Sequence, residues 1–173
     1  MPFSDSEFLA NLSNPVYASY RGRGFFWSDI RLAVPSDDVY YYLFRFPALL
    51  HTVIYGRNLS AGEGPVAMDL LFGATYDDPS GTLDPPINLF LGKPASQTVV
   101  YNGITGVSGG IESKVDHLFS AGNNSAVAGS GGQPTIFPPG VELLVRITNN
   151  SLSANPGIQL QLAWVEQTIP NDL

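Results

Sequence analysis

The chain reads as an all-β protein: a β-sandwich or jelly roll preceded by a short N-terminal helical or extended arm. Three observations point there. Apolar residues recur with a period of two from residue 25 onward. Eighteen glycines and 14 prolines punctuate the chain at short intervals, as turns between short strands require. Charged residues make up only 13%, about half the usual share of roughly 25%, which leaves little material for long salt-bridged helices. The 173 residues amount to one domain.

Residues 1–24 read as the arm. Ser4 and Glu7 have capping-box spacing, in which the two side chains satisfy the first free N–H groups of a helix. Phe8, Leu9 and Leu12 then fall on one face, and Pro15 stops the helix after Asn14. One or two turns are too short to be stable alone, so they need a surface to lie on. Residues 16–20 follow as an extended piece, and Arg21, Gly22, Arg23 and Gly24 form a flexible joint. Phe3, Phe8, Leu9, Leu12, Tyr17 and Tyr20 are the candidate partner-binding residues, because apolar groups on an arm contribute binding by becoming buried on a neighbour.

Residues 25–173 read as the sandwich domain. In the first strand Phe26, Ile30, Leu32 and Val34 alternate with Trp27, Asp29 and Arg31, and a turn at 35–38 follows. Residues 39–46 place Tyr40, Tyr42, Phe44 and Phe46 on one face and Val39, Tyr41, Leu43 and Arg45 on the other, the pattern of a strand covered on both sides. Residues 49–55 form the next strand and 60–65 a loop. Residues 66–72 alternate as a half-buried strand. Short strands at 87–91 and 98–101 come next. Residues 102–140 carry repeated Gly, Asn and Ser clusters and read as a long glycine-rich loop region, which projects or runs along a neighbouring subunit. Residues 141–148 and 158–164 alternate cleanly and are expected to pair as an antiparallel hairpin.

Charge and composition exclude several functions. Net charge is −7, and the six arginines and two lysines form no cluster, so a phosphate backbone finds no basic surface and no nucleic-acid partner is expected. No run of about 18 apolar residues exists, so no membrane-spanning helix is expected. The first seven residues lack the basic start and apolar stretch of a secretory signal. Cysteine is absent, which removes disulfides and thiolate metal sites.

Catalytic chemistry finds no foothold either. His51 and His117 belong to no metal-binding spacing and read as a strand and a loop residue. No serine sits in a Gly-x-Ser-x-Gly elbow. Asp77, Asp78, Ser80 and Asp84 offer clustered oxygens of the type calcium takes, but Asp, Pro, Ser and Gly together are ordinary turn formers. No catalytic residue, metal ligand or cofactor is therefore expected. The aromatic residues Phe25, Phe26, Trp27 and Tyr40 to Tyr42 suit a core or subunit interface better than an open sugar-binding surface, since they fall on alternating strand positions.

The part of the chain from about residue 49 to 167 resembles small jelly-roll decoration, or cement, proteins of tailed bacteriophages. The resemblance rests on a strand ending in Gly56, Arg57 and Asn58, and on the hydrophobic strand at 68–75. A variable glycine-rich stretch follows, then the turn Pro138, Pro139 and Gly140 and the run Leu144, Val145, Arg146, Ile147, Thr148 and Asn149. A last strand carries Trp164 and Glu166. The arm lies outside it. The resemblance implies a non-catalytic virion protein on the capsid surface, assembled in the host cytoplasm. Its partners would be the major capsid protein and further copies of itself, a trimer by preference. Related jelly rolls also occur in tails and head fibres, which leaves an adhesin for host glycan or protein as the alternative. A β-sandwich carbohydrate-active enzyme comes after it.

Overall fold

The computed structural model describes residues 23–77, 81–89, 92–118, 126–129 and 134–168. The arm residues Phe3, Phe8, Leu9, Leu12, Tyr17 and Tyr20 lie outside this set. In chain order the strands are β1 (Gly24–Val34), β2 (Val39–Arg45), β3 (His51–Ala61), β4 (Val66–Phe72), β5 (Thr82–Leu83) and β6 (Ile87–Asn88). Then follow β7 (Val99–Asn102), β8 (Ile111–Leu118), β9 (Ala126–Gly129), β10 (Thr135–Phe137), β11 (Glu142–Asn149) and β12 (Asn155–Gln167). Among the described residues there is no helix.

The strands form two antiparallel sheets packed face to face, a β-sandwich of jelly-roll-like kind. The first has the order β6, β1, β12, β3, with β10 and β9 end to end along the far edge of β3. The second has the order β5, β7, β2, β11, β4, β8. The chain passes from one sheet to the other at most connections, so the strands of the two sheets are interleaved along the sequence. The longest strands, β1, β3 and β12, make up the middle of the first sheet.

Side-chain alternation explains the core. Phe25, Trp27, Leu59, Leu160, Leu162 and Trp164 from the first sheet meet Tyr42, Phe44, Met68, Leu143, Val145 and Ile147 from the second. Trp27 stands edge-on to Tyr42 and Phe44, with ring centres 4.9 and 5.2 Å apart. Edge-to-face pairs of this kind each add about 0.5–1.5 kcal/mol beyond the area they bury. A second, smaller cluster lies on the outer face of the second sheet. There Leu43, Leu71 and Leu144 are covered by Ile104, Tyr76 and Tyr101. This accounts for the two apolar faces of β2.

Several expectations are corrected. β11 and β12 do not form a hairpin: β11 is flanked by β2 and β4 in one sheet, and β12 by β1 and β3 in the other. Each strand is already paired on both edges, so the connection between them crosses the sandwich. In β1 Phe25 and Trp27 take the core side, so Ile30 and Leu32 face outward, 56% and 71% exposed, while Val34, just past the positive-φ Ala33, turns back into the core at 3%. β4 is buried on both faces up to Leu71, not half-buried: Val66, Met68 and Leu70 face the other sheet, while on the outer side Arg146 caps Asp69 and the second cluster covers Leu71. β3 continues through Gly56, Arg57 and Asn58 to Ala61, held along β12 across an irregularity opposite Tyr55. The stretch read as a glycine-rich loop carries β8, β9 and β10. β6 is only two residues long, and Ile87 and Leu89 are exposed.

Candidate functional site

Three arrangements of polar and apolar groups stand out, and each follows from strand register. The first is a buried brace. Glu166, near the end of β12, is 3% exposed. Its Oε1 accepts the Thr98 N–H at 3.0 Å, the Thr98 hydroxyl at 2.8 Å, the Trp164 indole N–H at 3.2 Å and the Ser96 hydroxyl. Its Oε2 accepts the Gln97 N–H at 2.9 Å. The carboxylate thus ties the segment before β7 to the other sheet. Its oxygens are filled from within the chain, so it functions as a framework group.

A similar use of polar side chains closes the opposite end. Asn149 Nδ2 donates to the carbonyls of Val34 and Pro35 at 3.1 and 2.7 Å, while its Oδ1 accepts from the Ser151 N–H and hydroxyl. Inside the sandwich edge, the Tyr42 hydroxyl donates to Asp29 Oδ2 at 2.7 Å. Arg31 Nε donates to the same hydroxyl at 3.3 Å, and the guanidinium lies over the Tyr40 ring at 4.6 Å. Burial, first of all, pushes both phenols well above the ordinary tyrosine value of about 10.

The second arrangement is a cleft of about 400 Å³ on the outer face of the second sheet. Register places Arg146 of β11 between Tyr41 of β2 and Asp69 of β4. Val39, Thr148 and Asn150 complete one wall and Glu112 of β8 the other. Arg146 Nη2 donates to Asp69 Oδ2 at 2.8 Å and to Glu112 Oε2 at 2.7 Å. Asp69 is 3% exposed, and its Oδ1 is buried without a hydrogen bond among the described residues. Glycoside cleavage needs two carboxyl groups flanking free space for the glycosidic oxygen or a water. Here the guanidinium fills the space between them. Period-two alternation does not announce this triad; its only trace in the sequence is Asp69 standing alone in the apolar run of β4 and Arg146 as the one cation of β11.

The third is a face without charge. On the outer side of the first sheet β1 presents Phe26, Ser28, Ile30 and Leu32, and β12 answers with Ala163, Gln161, Gln159 and Gly157. β3 adds Gly56, Asn58 and Ser60, and Ile87 of β6 lies beside Phe26. None of these side chains ionises. Asn58 Nδ2 donates to Gln161 Oε1 at 3.1 Å, and Gln159 Nε2 to Ser28 Oγ at 3.1 Å. The amides therefore bond across strands and lie along the surface. Asp29 and Arg31 alternate with this row and point inward.

The remaining sequence candidates fall into the framework. Trp27 is 2% exposed and donates its indole N–H to Asp84 at 2.9 Å, which places it in the core and gives Asp84 a structural partner. The Asp77 N–H donates to the Thr105 carbonyl, and its carboxylate sits where a side chain at Gly106, φ +65°, would have to go. Asp78 and Ser80 lie outside the described residues. His51 begins β3, half-buried, and His117 is paired with Ala67 within β8. Among the described residues no group of three His, Asp or Glu is placed to hold a metal ion. No described helix is long and apolar enough to cross a membrane. Protein-family models, characterised proteins and solved structures return no match to the chain.

Proposed function

We propose that this chain is a non-catalytic virion structural protein that decorates and stabilises the exterior of a bacteriophage capsid. It does so by binding the major capsid protein and further copies of itself. The observation that carries this reading is the division of labour among its side chains. Its buried and half-buried polar groups are spent on the framework: Glu166, Asn149 and Asp29 tie one sheet to the other and the Arg146 triad ties three strands of the second sheet, while aliphatic groups stand outside. A protein that spends its existence attached to a particle needs rigidity and sticky surface more than reactive groups. The strands that carry the resemblance, β4, β11 and the end of β12, are central strands of the sandwich, consistent with a shared scaffold.

The test is a cryo-EM reconstruction of the native particle. Density for a two-sheet domain on the outer shell, in a fixed ratio to the capsid subunit, is expected. Density confined to the tail or to head fibres would overturn the location.

A second reading, an adhesin for host glycan, is favoured by one observation: the cleft combines Tyr41, Arg146, Glu112 and Asn150 in a volume that accommodates a small saccharide. Glycan-array binding that Tyr41→Ala abolishes would establish it over decoration.

A further inference from the structure

We infer that the uncharged outer face of the first sheet is where a second copy of this chain docks, sheet against sheet. The inference names the surface for the self-association part of the reading above and rests on that part alone.

Electrostatics selects the occupant. Each chain carries a net charge of −7, so two copies repel at most approaches. Like charges are kept from facing each other where neither side bears any. The stretch from Phe26 to Leu32 on β1, with Ala163 to Gly157 on β12 and Gly56 to Ser60 on β3, meets that condition over its outward side chains. The amides of Gln159, Gln161 and Asn58 lie flat along it, bonded across strands. Gly56 and Gly157 keep it low, and a side chain at Gly157 would touch Leu32 at 3.5 Å.

The exposed apolar content lies along one side of this face, whereas Val53 and Val165 at its far end are buried. Ile87, Ile30 and Leu32 are 64%, 56% and 71% exposed, with Phe26 between Ile87 and Ile30. From Phe26 to Leu32 the row runs about 20 Å, at roughly 3.3 Å per residue. Isolated exposed aliphatics are common on proteins, but a row on one strand of a charge-free face marks an interaction surface.

Size sets the strength. Four strands about 4.8 Å apart and a 20 Å row give roughly 400 Å² per copy, which is below the roughly 800 Å² of a standard interface. Self-association is therefore weak and dissociates on dilution. On a particle surface, where copies are held close together, the same contact gains from effective concentration.

The experiment uses the intact chain. Sedimentation equilibrium across a concentration series is expected to show reversible association above the 18.6 kDa single-chain mass. Ile30→Glu combined with Leu32→Glu should weaken it at least about tenfold, because both copies then present like charges. Leu152→Glu, on a fully exposed site elsewhere, should leave it unchanged. The chain has no cysteine, so Ser28→Cys gives a single thiol that a short bis-maleimide should link between copies, whereas Leu152→Cys should not link.

A chain that stays monomeric at all concentrations overturns the inference, as does equal linking at both positions. A Ser28→Cys thiol that is shielded from maleimide in the monomer also overturns it, by showing that another segment of the same chain covers the face. A monomer that still occupies capsid shells would sink this inference and leave the decoration reading standing; an oligomer that ignores shells would do the reverse.

Discussion

Thr98 gives both its backbone N–H and its hydroxyl to one oxygen of Glu166, at 3.0 and 2.8 Å, across a sequence separation of 68 residues. The pair fastens the entry of β7, in the second sheet, to the last strand of the first. A charged acceptor with five internal donors is a high-stakes group: satisfied, it fixes geometry, and disturbed, it leaves buried N–H and O–H groups without partners.

Glu166→Gln tests that brace. The amide keeps the shape but turns one acceptor into a donor facing the Gln97 N–H or the Thr98 groups. The expected cost is about 1–3 kcal/mol, and each kcal/mol lowers Tm by about 2–4 °C for a chain of this length. Thermal unfolding followed by circular dichroism measures it. An unchanged Tm would show that the carboxylate is not a structural anchor.

Alkaline titration tests the Tyr40 and Tyr42 environment. Both phenols are raised by burial, so the folded state holds their protons more tightly than the unfolded chain does. Their contribution to stability is complete below about pH 10 and is lost as pH rises through the higher folded values. Tyr40 and Tyr42 should fail to ionise near pH 10 in an absorbance titration and should do so together with unfolding. Tyr40→Phe should make the alkaline loss of stability shallower. Smooth titration of Tyr40 and Tyr42 near pH 10 in the folded protein would contradict the burial.

Replacing the cleft triad separates structure from recognition. Arg146→Met strands Asp69, whose side chain is 4% exposed, and should cost roughly 2–4 kcal/mol, somewhat below a fully buried pair because Arg146 is itself 27% exposed. Combining it with Asp69→Leu should recover part of that loss, since removing both partners is less costly than leaving one. Urea denaturation of the two variants gives the comparison. A double variant less stable than the single one would indicate that Asp69 has a further role in the fold.

Tryptophan fluorescence offers a simple check on the packing. The two tryptophans, Trp27 and Trp164, are 2% and 1% exposed and lie between the sheets. Emission should be blue-shifted and poorly quenched by acrylamide until the protein unfolds. Trp27→Ala should cost roughly 3–5 kcal/mol. A quenching rate near that of free indole in the folded protein would contradict the sandwich core.

The fold class was legible because period-two alternation is a local property. Val145, Ile147, Leu160 and Leu162 declare their inward face within a few residues of sequence. Strand partnership was not legible, because it depends on which edges are already occupied. β11 and β12 look like a hairpin until β2, β4, β1 and β3 take up all four of their edges. Alternation also does not say which face is inside. In β1 both rows are partly apolar, and the bulkier Phe25 and Trp27 win the core, which turns Ile30 and Leu32 out. The Asp69–Arg146 pair was hidden for the same reason: its members are 77 residues apart and meet only through register. The arm residues chosen as partner contacts fall outside the described chain, and their role is carried by the binding experiment that follows.

Addition of the purified chain to shells assembled from the major capsid protein alone tests the central claim most directly. Saturable binding at a fixed ratio, with a rise in the temperature at which the shells rupture, is expected, and deletion of residues 2–20 should reduce occupancy. Shells that take up none of the protein, and rupture at the same temperature with or without it, would contradict the account.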